Sequence, residues 1–140
     1  MRGNKAQATV VTVFSLLLLA APAVAHHSFS AEFDGQRLVT VKGVLTKVDW
    51  INPHVYLYVD AKNESGKATS WVIETWPTGL LHKAGISRNM FVEGQPITII
   101  GYPAKDGTKD LVYIGMVTLP DGRQFDLRNP DRRDAADPNP

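Results

Sequence analysis

Five stretches of the chain have the apolar patterns of β-strands, one of them with strict alternation of apolar and polar residues and one, 111–119, apolar on both sides. The clearest stretch is 54–61, where Val55, Leu57 and Val59 occupy one face and histidine or tyrosine occupies the other. The pattern predicts strands at residues 38–50, 54–61, 68–76, 96–102 and 111–119, followed by a short segment at 124–127. Residues 77–85 instead predict a short helix, which begins at Pro77 and ends at Gly85.

The first predicted strand changes the phase of its apolar positions. Apolar residues occupy odd positions up to Val41 and even positions from Val44, with Gly43 between them. A bulge or a sharp bend produces such a change, and glycine is the residue that tolerates it best. We therefore predict a bulge or bend at Gly43.

The order of three strands, one helix and two more strands predicts a fold. It is all-β with one short helix, in the form of a five-stranded OB-fold-like Greek-key barrel. An open antiparallel sandwich of the same strands is the alternative. We expect a signal peptide at 1–25, a polar lead-in at 26–37, the barrel domain at 38–127 and a disordered tail at 128–140. In the lead-in, Phe29 and Phe33 are spaced to contact the barrel wall.

The pairing of the second and third strands can also be predicted, because facing residues of an antiparallel pair share one side of the sheet. Pairing Leu57 with Ile73 buries one coherent apolar face. The opposite face is the predicted ligand or partner face, and it carries Tyr56, Tyr58, Glu74 and Trp76, with His54 near Trp76. This surface is the usual ligand platform of OB-folds, although aromatic pairs also stabilise a sheet without binding anything.

The first 25 residues predict export. They combine Arg2 and Lys5, an apolar run and the small-x-small sequence Ala23-Val24-Ala25. Cleavage after Ala25 leaves 115 residues with 13 basic and 14 acidic side chains, so we expect no nucleic-acid partner. We expect a periplasmic or secreted protein with no membrane span after cleavage; an uncleaved N-terminal anchor is the alternative. The chain has no cysteine, which excludes disulfides and thiolate sites.

Cleavage after Ala25 would also create a candidate metal site. A free N-terminal histidine can chelate a metal through its amine and its ring Nδ1, and a third nitrogen would complete a set that suits copper. The predicted metal ligands are His26, His27 and His54, with copper as the predicted cofactor. The N-terminus resembles the histidine brace of lytic polysaccharide monooxygenases and some periplasmic copper carriers. The alternatives are exposed histidines without a ligand, or cleavage after Ala23, which would make His26 the third residue.

Four segments carry a resemblance to a known family: 26–34, 43–54, 101–107 and 118–123. The first contains His26-His27-Ser28-Phe29, and the second ends in the run Trp50-Ile51-Asn52-Pro53-His54. With these segments, the chain resembles a family of exported bacterial proteins classed as a domain of unknown function. The resemblance implies no activity, substrate or cofactor.

No catalytic motif occurs, and the carboxylates have no spacing that pairs an acid with a base, so we assign no catalytic residues. We expect an exported binding module that coordinates copper and binds an unknown periplasmic protein or a small ligand. A structural or protein-docking barrel without metal is the first alternative, and a copper-dependent redox enzyme is the second.

Overall fold

The structure is a computed structural model, and it describes residues 29–62 and 66–128. The predicted signal peptide, His26, His27 and all but the first residue of the predicted tail lie outside these ranges. The α-helices are α1 (Phe29–Glu32) and α2 (Thr78–Lys83), and a 3₁₀ turn covers Arg88–Met90. The strands are β1 (Val39–Asp49), β2 (Tyr56–Lys62), β3 (Ala68–Glu74), β4 (Pro96–Pro103), β5 (Leu111–Thr118) and β6 (Gln124–Asp126). All five predicted strands and the predicted helix are therefore present, with ends that differ by one or two residues.

The strands close into a barrel. Antiparallel pairs join β1 to β2, β2 to β3, β1 to β4 and β4 to β5. Closure is completed by the parallel pair of β3 and β5, in which Val72 lies opposite Leu111 and Glu74 lies opposite Tyr113. The short β6 extends the sheet beyond β5. These pairings confirm the OB-fold-like Greek-key barrel and show that the open sandwich was wrong.

The predicted register of β2 and β3 is confirmed residue by residue. Leu57 faces Ile73 and Tyr56 faces Glu74. The side chains of Leu57 and Ile73 are fully buried, whereas those of Tyr56 and Glu74 lie on the outer face of the barrel and are half-buried. The alternation of apolar residues therefore decides which face of this hairpin turns inward.

The predicted position of the irregularity in β1 was wrong. The register against β2 shifts between Leu45 and Lys47, so the bulge lies at Thr46, and Val44 is 43% exposed. Gly43 serves another purpose, because a Cβ atom there would lie 2.2 Å from the carbonyl oxygen of Asp60. At this point β1 passes from pairing with β4 to pairing with β2, and the two backbones need the space that glycine leaves.

The core fills the inside of the barrel and one of its ends. Inward side chains such as Leu45, Leu57 and Ile99 are fully buried. Leu81 of α2 and the following Ile86 join the same cluster, so the helix packs onto the barrel. Within the described residues, no helix has the length and apolar character needed to cross a membrane.

Candidate functional site

His54 and Glu74 are in direct contact on the outer face of the barrel. His54 lies just before β2, and Glu74 is the last residue of β3. The ring Nδ1 of His54 is paired with the Oε1 carboxylate oxygen of Glu74. The His54 side chain is 32% exposed and that of Glu74 is 13% exposed. The carboxylate therefore occupies one ring nitrogen and leaves Nε2 for another partner.

The residues before His54 hold this loop in place. The Oδ1 of Asn52 accepts hydrogen bonds from the backbone N–H of Thr78 at 3.2 Å and from its hydroxyl at 3.0 Å. The Trp50 ring packs edge-on against His82, with 5.8 Å between the ring centres. The run from Trp50 to His54 thus ties the β1–β2 loop to α2 at one end and to β3 at the other.

The backbone ladder of β2 and β3 continues past the strands and positions His54. The backbone N–H of Val55 donates to the carbonyl of Trp76 at 3.2 Å, and the N–H of Thr75 donates to the carbonyl of Val55 at 2.8 Å. These bonds fix the residues that directly follow His54 and Glu74. The pair is therefore held by the sheet, with little dependence on loop conformation.

Trp76 does not belong to the predicted ligand or partner face. Its side chain is 3% exposed and lies in the core cluster with Leu81 and Ile86. The prediction extended the alternation of β3 to residue 76, but β3 ends at Glu74, and both Thr75 and Trp76 are buried beyond it. The outer face therefore keeps only Tyr56, Tyr58 and Glu74 of the four predicted residues.

Tyr58 is already engaged by its own hairpin. Its hydroxyl donates to Asp49 Oδ2 at 3.0 Å, and the Lys47 ammonium lies 5.0 Å from the centre of its ring. The hydrogen bond to Asp49 raises the pKa of Tyr58, and the ammonium of Lys47 lowers the pKa of Asp49. Tyr56 lies nearer the histidine pair; burial raises its pKa, and the charge of Glu74 adds to the effect.

The N-terminal segment docks on the same outer surface. The Phe29 ring lies 5.2 Å from that of Tyr102 and 5.1 Å from that of Tyr113, between ring centres. The Phe33 ring is buried, with its centre 5.3 Å from that of Tyr113. The backbone of Phe33 forms a β-bridge with Ala104. The predicted contact of both phenylalanines with the barrel wall is therefore confirmed, and α1 lies over β4 and β5.

This docking brings the start of the described chain close to the His54–Glu74 pair. Tyr113, which holds Phe29 and Phe33, is the register partner of Glu74. Burial and the charge of Glu74 raise the pKa of Tyr113 to about 12. Sequence reasoning placed Glu74 and His54 on one face, but it had no signal for the strand pairing that adds Tyr113 and α1.

Of the three predicted metal ligands, only His54 lies within the described residues. His54 and Glu74 are adjacent, but no group of three or more histidine, aspartate or glutamate side chains that could hold a metal occurs within 29–62 and 66–128. The other two predicted ligands, His26 and His27, lie outside these ranges. His82, to which the sequence gave no role, packs against Trp50 and is separate from the pair.

Comparison with known proteins identifies a family and two similar folds. A model described as a family of unknown function, DUF6152, matches residues 13–112. No curated protein matches the chain. The structure is similar to the mitochondrial single-stranded DNA-binding protein Rim1 of S. cerevisiae, at 7% identity and a TM-score of 0.45, over 60% of this chain and 93% of that one.

A second similar structure is the TiaS protein in its complex with tRNA and ATP. Its sequence identity is 16% and its TM-score is 0.44, and the match covers 61% of this chain and 18% of that one. The chain thus spans less than a fifth of the TiaS protein.

Proposed function

Because this chain belongs to DUF6152, a family of unknown function, we propose its function from the geometry of the His54–Glu74 pair. The protein is an exported binding module that holds one copper ion with His54 and the N-terminal histidines. His26 supplies its amine and its ring, and His27 is the substitute or additional ligand.

The pairing of His54 with Glu74 carries this proposal. A histidine that binds a metal with one ring nitrogen characteristically gives its other nitrogen to a carboxylate, which fixes the tautomer and the ring orientation. His54 has this arrangement, with Nδ1 on Glu74 and part of its side chain exposed. Neutral His54 then donates Nδ1–H to the carboxylate and offers the Nε2 lone pair to a metal.

The docking of α1 supports the part played by the N-terminal histidines. Phe29 packs on Tyr113, and Tyr113 is the partner of Glu74. Two residues lie between His26 and Phe29, so three Cα–Cα steps keep their Cα atoms within about 11 Å of each other. Neighbouring strands lie about 4.8 Å apart, so a distance of about 11 Å spans two strand spacings. The first histidines can therefore approach His54 without rearrangement of the barrel.

Nitrogen ligands favour copper over oxygen-preferring ions, and the chain has no cysteine to supply a thiolate ligand. An amine and two imidazoles suit Cu(II), which also has the highest affinity in the divalent series. Glu74 acts in this proposal as the group that orients His54. No residue is assigned to a reaction, so the proposed activity is binding.

The test is a copper titration of protein that begins at His26, compared with His54→Ala. We expect one tight Cu(II) per chain, with nitrogen couplings from more than one imidazole in the electron paramagnetic resonance spectrum. His54→Ala should bind copper at least tenfold more weakly and lose one imidazole coupling. His82→Ala is the matched control and should retain the wild-type affinity, because His82 lies on α2 and packs against Trp50.

Two further measurements define the N-terminus. The intact mass of the exported protein shows whether His26 is the first residue. Protein whose His26 amine is acetylated should lose the chelate and bind copper more weakly. Equal copper affinity in wild type and His54→Ala would overturn the proposal, since an unstructured N-terminal histidine alone can bind copper.

The protein-docking alternative has less support. Trp76 is buried, and the hydroxyl of Tyr58 is hydrogen-bonded to Asp49. Of the three aromatic residues predicted for the ligand or partner face, Tyr56 is therefore the one that remains for contact with a partner. Its test is a crosslinking capture from the periplasm with wild type and Tyr56→Ala. Loss of a captured protein in Tyr56→Ala, with copper affinity unchanged, would favour docking.

A further inference from the structure

A second candidate site lies at another part of the barrel and uses none of the ligands of the proposed copper site. An open cavity of about 270 Å³ lies between the start of β1, β3 and the β4–β5 loop. Its wall includes Arg37, Trp71, Pro103, Lys109 and Asp110. The segment 101–107, which carried part of the family resemblance, contributes Pro103, Ala104 and Gly107 to this wall.

The strand pairing explains why the barrel is open here. The parallel contact of β3 with β5 begins only at Val72, which lies opposite Leu111. No residue of β3 before Val72 pairs with β5, and Asp110, just before β5, has a left-handed φ of 64°. The half-buried Trp71 is left at this opening, where its side chain lines the cavity.

The loop that forms the wall is held at both ends. The carbonyl of Asp110 accepts the backbone N–H of Val72 at 2.8 Å. At the other end the N–H of Lys105 donates to the carbonyl of Glu32 at 2.8 Å, and Ala104 bridges to Phe33. Inside the loop, Asp106 Oδ1 accepts the N–H of Thr108 at 2.8 Å. A wall fixed in this way loses little conformational freedom when a ligand binds.

The chemistry of the wall indicates the ligand. Trp71 offers an indole ring, and Arg37 and Lys109 supply two positive charges against the single carboxylate of Asp110. The volume lies just below the roughly 300–1,000 Å³ of pockets that bury drug-sized ligands, so it suits a molecule with one ring. We propose that this cavity binds a small aromatic carboxylate, with its ring against Trp71 and its carboxylate at Arg37 and Lys109.

The test follows the amide and indole N–H signals of the full chain by NMR during titration with benzoate, at constant ionic strength. Benzamide has the same ring without the charge, and acetate has the charge without the ring. We expect benzoate to cause saturable shifts at the Trp71 indole and at residues 107–111. Both comparison molecules should bind at least tenfold more weakly, since ring and charge contribute together.

Substitutions then assign the charge. Arg37→Gln should weaken benzoate binding about tenfold, because a guanidinium forms strong paired hydrogen bonds with a carboxylate. Lys83→Gln removes one positive charge from the exposed surface of α2 and is the matched control, with binding unchanged. The wild-type titration stands without these variants if Arg37→Gln fails to fold. Non-saturable shifts, shifts away from Trp71, or equal binding of benzamide or acetate would each overturn the proposal.

Discussion

Tyr113 and Glu74 are partners in the parallel register of β3 and β5, and this pair connects the N-terminal segment with the histidine. On one side, the rings of Phe29 and Phe33 pack against Tyr113 at 5.1 and 5.3 Å. On the other side, the Glu74 carboxylate contacts His54. The pairing that closes the barrel therefore also determines which part of its outer surface α1 covers.

The first prediction concerns Phe29, whose docking should increase the local concentration of the N-terminal histidines near His54. Phe29→Ala removes the contacts with Tyr102 and Tyr113, and we expect copper affinity to fall about tenfold in protein that begins at His26. The effect on stability should be small, since Phe29 is 37% exposed. Leu80→Ala is the control, because Leu80 has a similar exposure of 39% and lies on α2. Competition titration measures the affinity, and an unchanged affinity in Phe29→Ala would show that docking does not assist binding.

The second prediction concerns Glu74. Glu74→Gln keeps the size of the side chain but removes the charge that orients His54. Loss of such a partner typically lowers metal affinity by about 10–100-fold, so we expect a decrease in that range. Glu93→Gln neutralises a carboxylate that is 54% exposed and should leave copper affinity as in wild type. Equal affinities for the Glu74 and Glu93 variants would contradict a role for Glu74.

The third prediction concerns Tyr113, whose pKa is raised to about 12. The unfolded chain has an ordinary tyrosine pKa near 10, so folding favours the protonated phenol. Its contribution to stability is complete below pH 10 and is lost as the pH rises toward 12. Denaturant unfolding should therefore show stability falling more steeply above pH 10 in wild type than in Tyr113→Phe. In a pH titration followed by tyrosinate absorbance, Tyr113→Phe should lack the most alkaline transition of the wild type. Identical pH profiles of stability in wild type and Tyr113→Phe would contradict the prediction.

Much of the barrel follows from the sequence because local pattern and burial agree. The faces of β2 and β3 are fixed by the alternation around Leu57 and Ile73, and shifting either strand by one residue would expose its apolar set. The order of strands around one helix was enough to predict the fold. His54 and Glu74 could be placed on one face by the same reasoning.

Other features depend on contacts that the sequence pattern does not contain. Val44 is apolar and yet 43% exposed, so the phase change placed the bulge at Gly43 when it lies at Thr46. The alternation of β3, extended to residue 76, placed Trp76 on the outer face, but the strand ends two residues earlier, at Glu74. The neighbourhood of Tyr113 and Glu74 and the cavity at Trp71 both arise from the parallel pair of β3 and β5, which joins segments far apart in sequence.

The fourth prediction concerns Asn52, whose Oδ1 accepts the backbone N–H of Thr78 at the first turn of α2. Its amide acts as a helix cap supplied from the β1–β2 loop, because no side chain at the helix's own N-cap position forms that bond. Asn52→Ala should lower the free energy of unfolding by about 1 kcal/mol, the usual value of a lost cap. Asn52→Asp keeps the accepting oxygen and should restore most of the stability. Chemical denaturation measures the free energy of unfolding of both variants. An equal loss of stability in the two would show that the side-chain oxygen of residue 52 does not account for the effect.

The fifth prediction concerns Gly43, where β1 changes partners. In Gly43→Ala the new Cβ would lie 2.2 Å from the Asp60 carbonyl oxygen and 2.9 Å from a methyl group of Val59. The obstruction comes largely from backbone, so β1 and β2 must separate, and we expect a loss of about 3 kcal/mol in the free energy of unfolding. Gly79→Ala is the matched control, because a Cβ there meets nothing within 4 Å and the residue lies in α2. Alanine is the better helix former by about 1 kcal/mol, so that variant should be as stable as wild type or more stable. If Gly43→Ala unfolded at the same denaturant concentration as Gly79→Ala, close approach of the two strands could not be the reason for a glycine at residue 43.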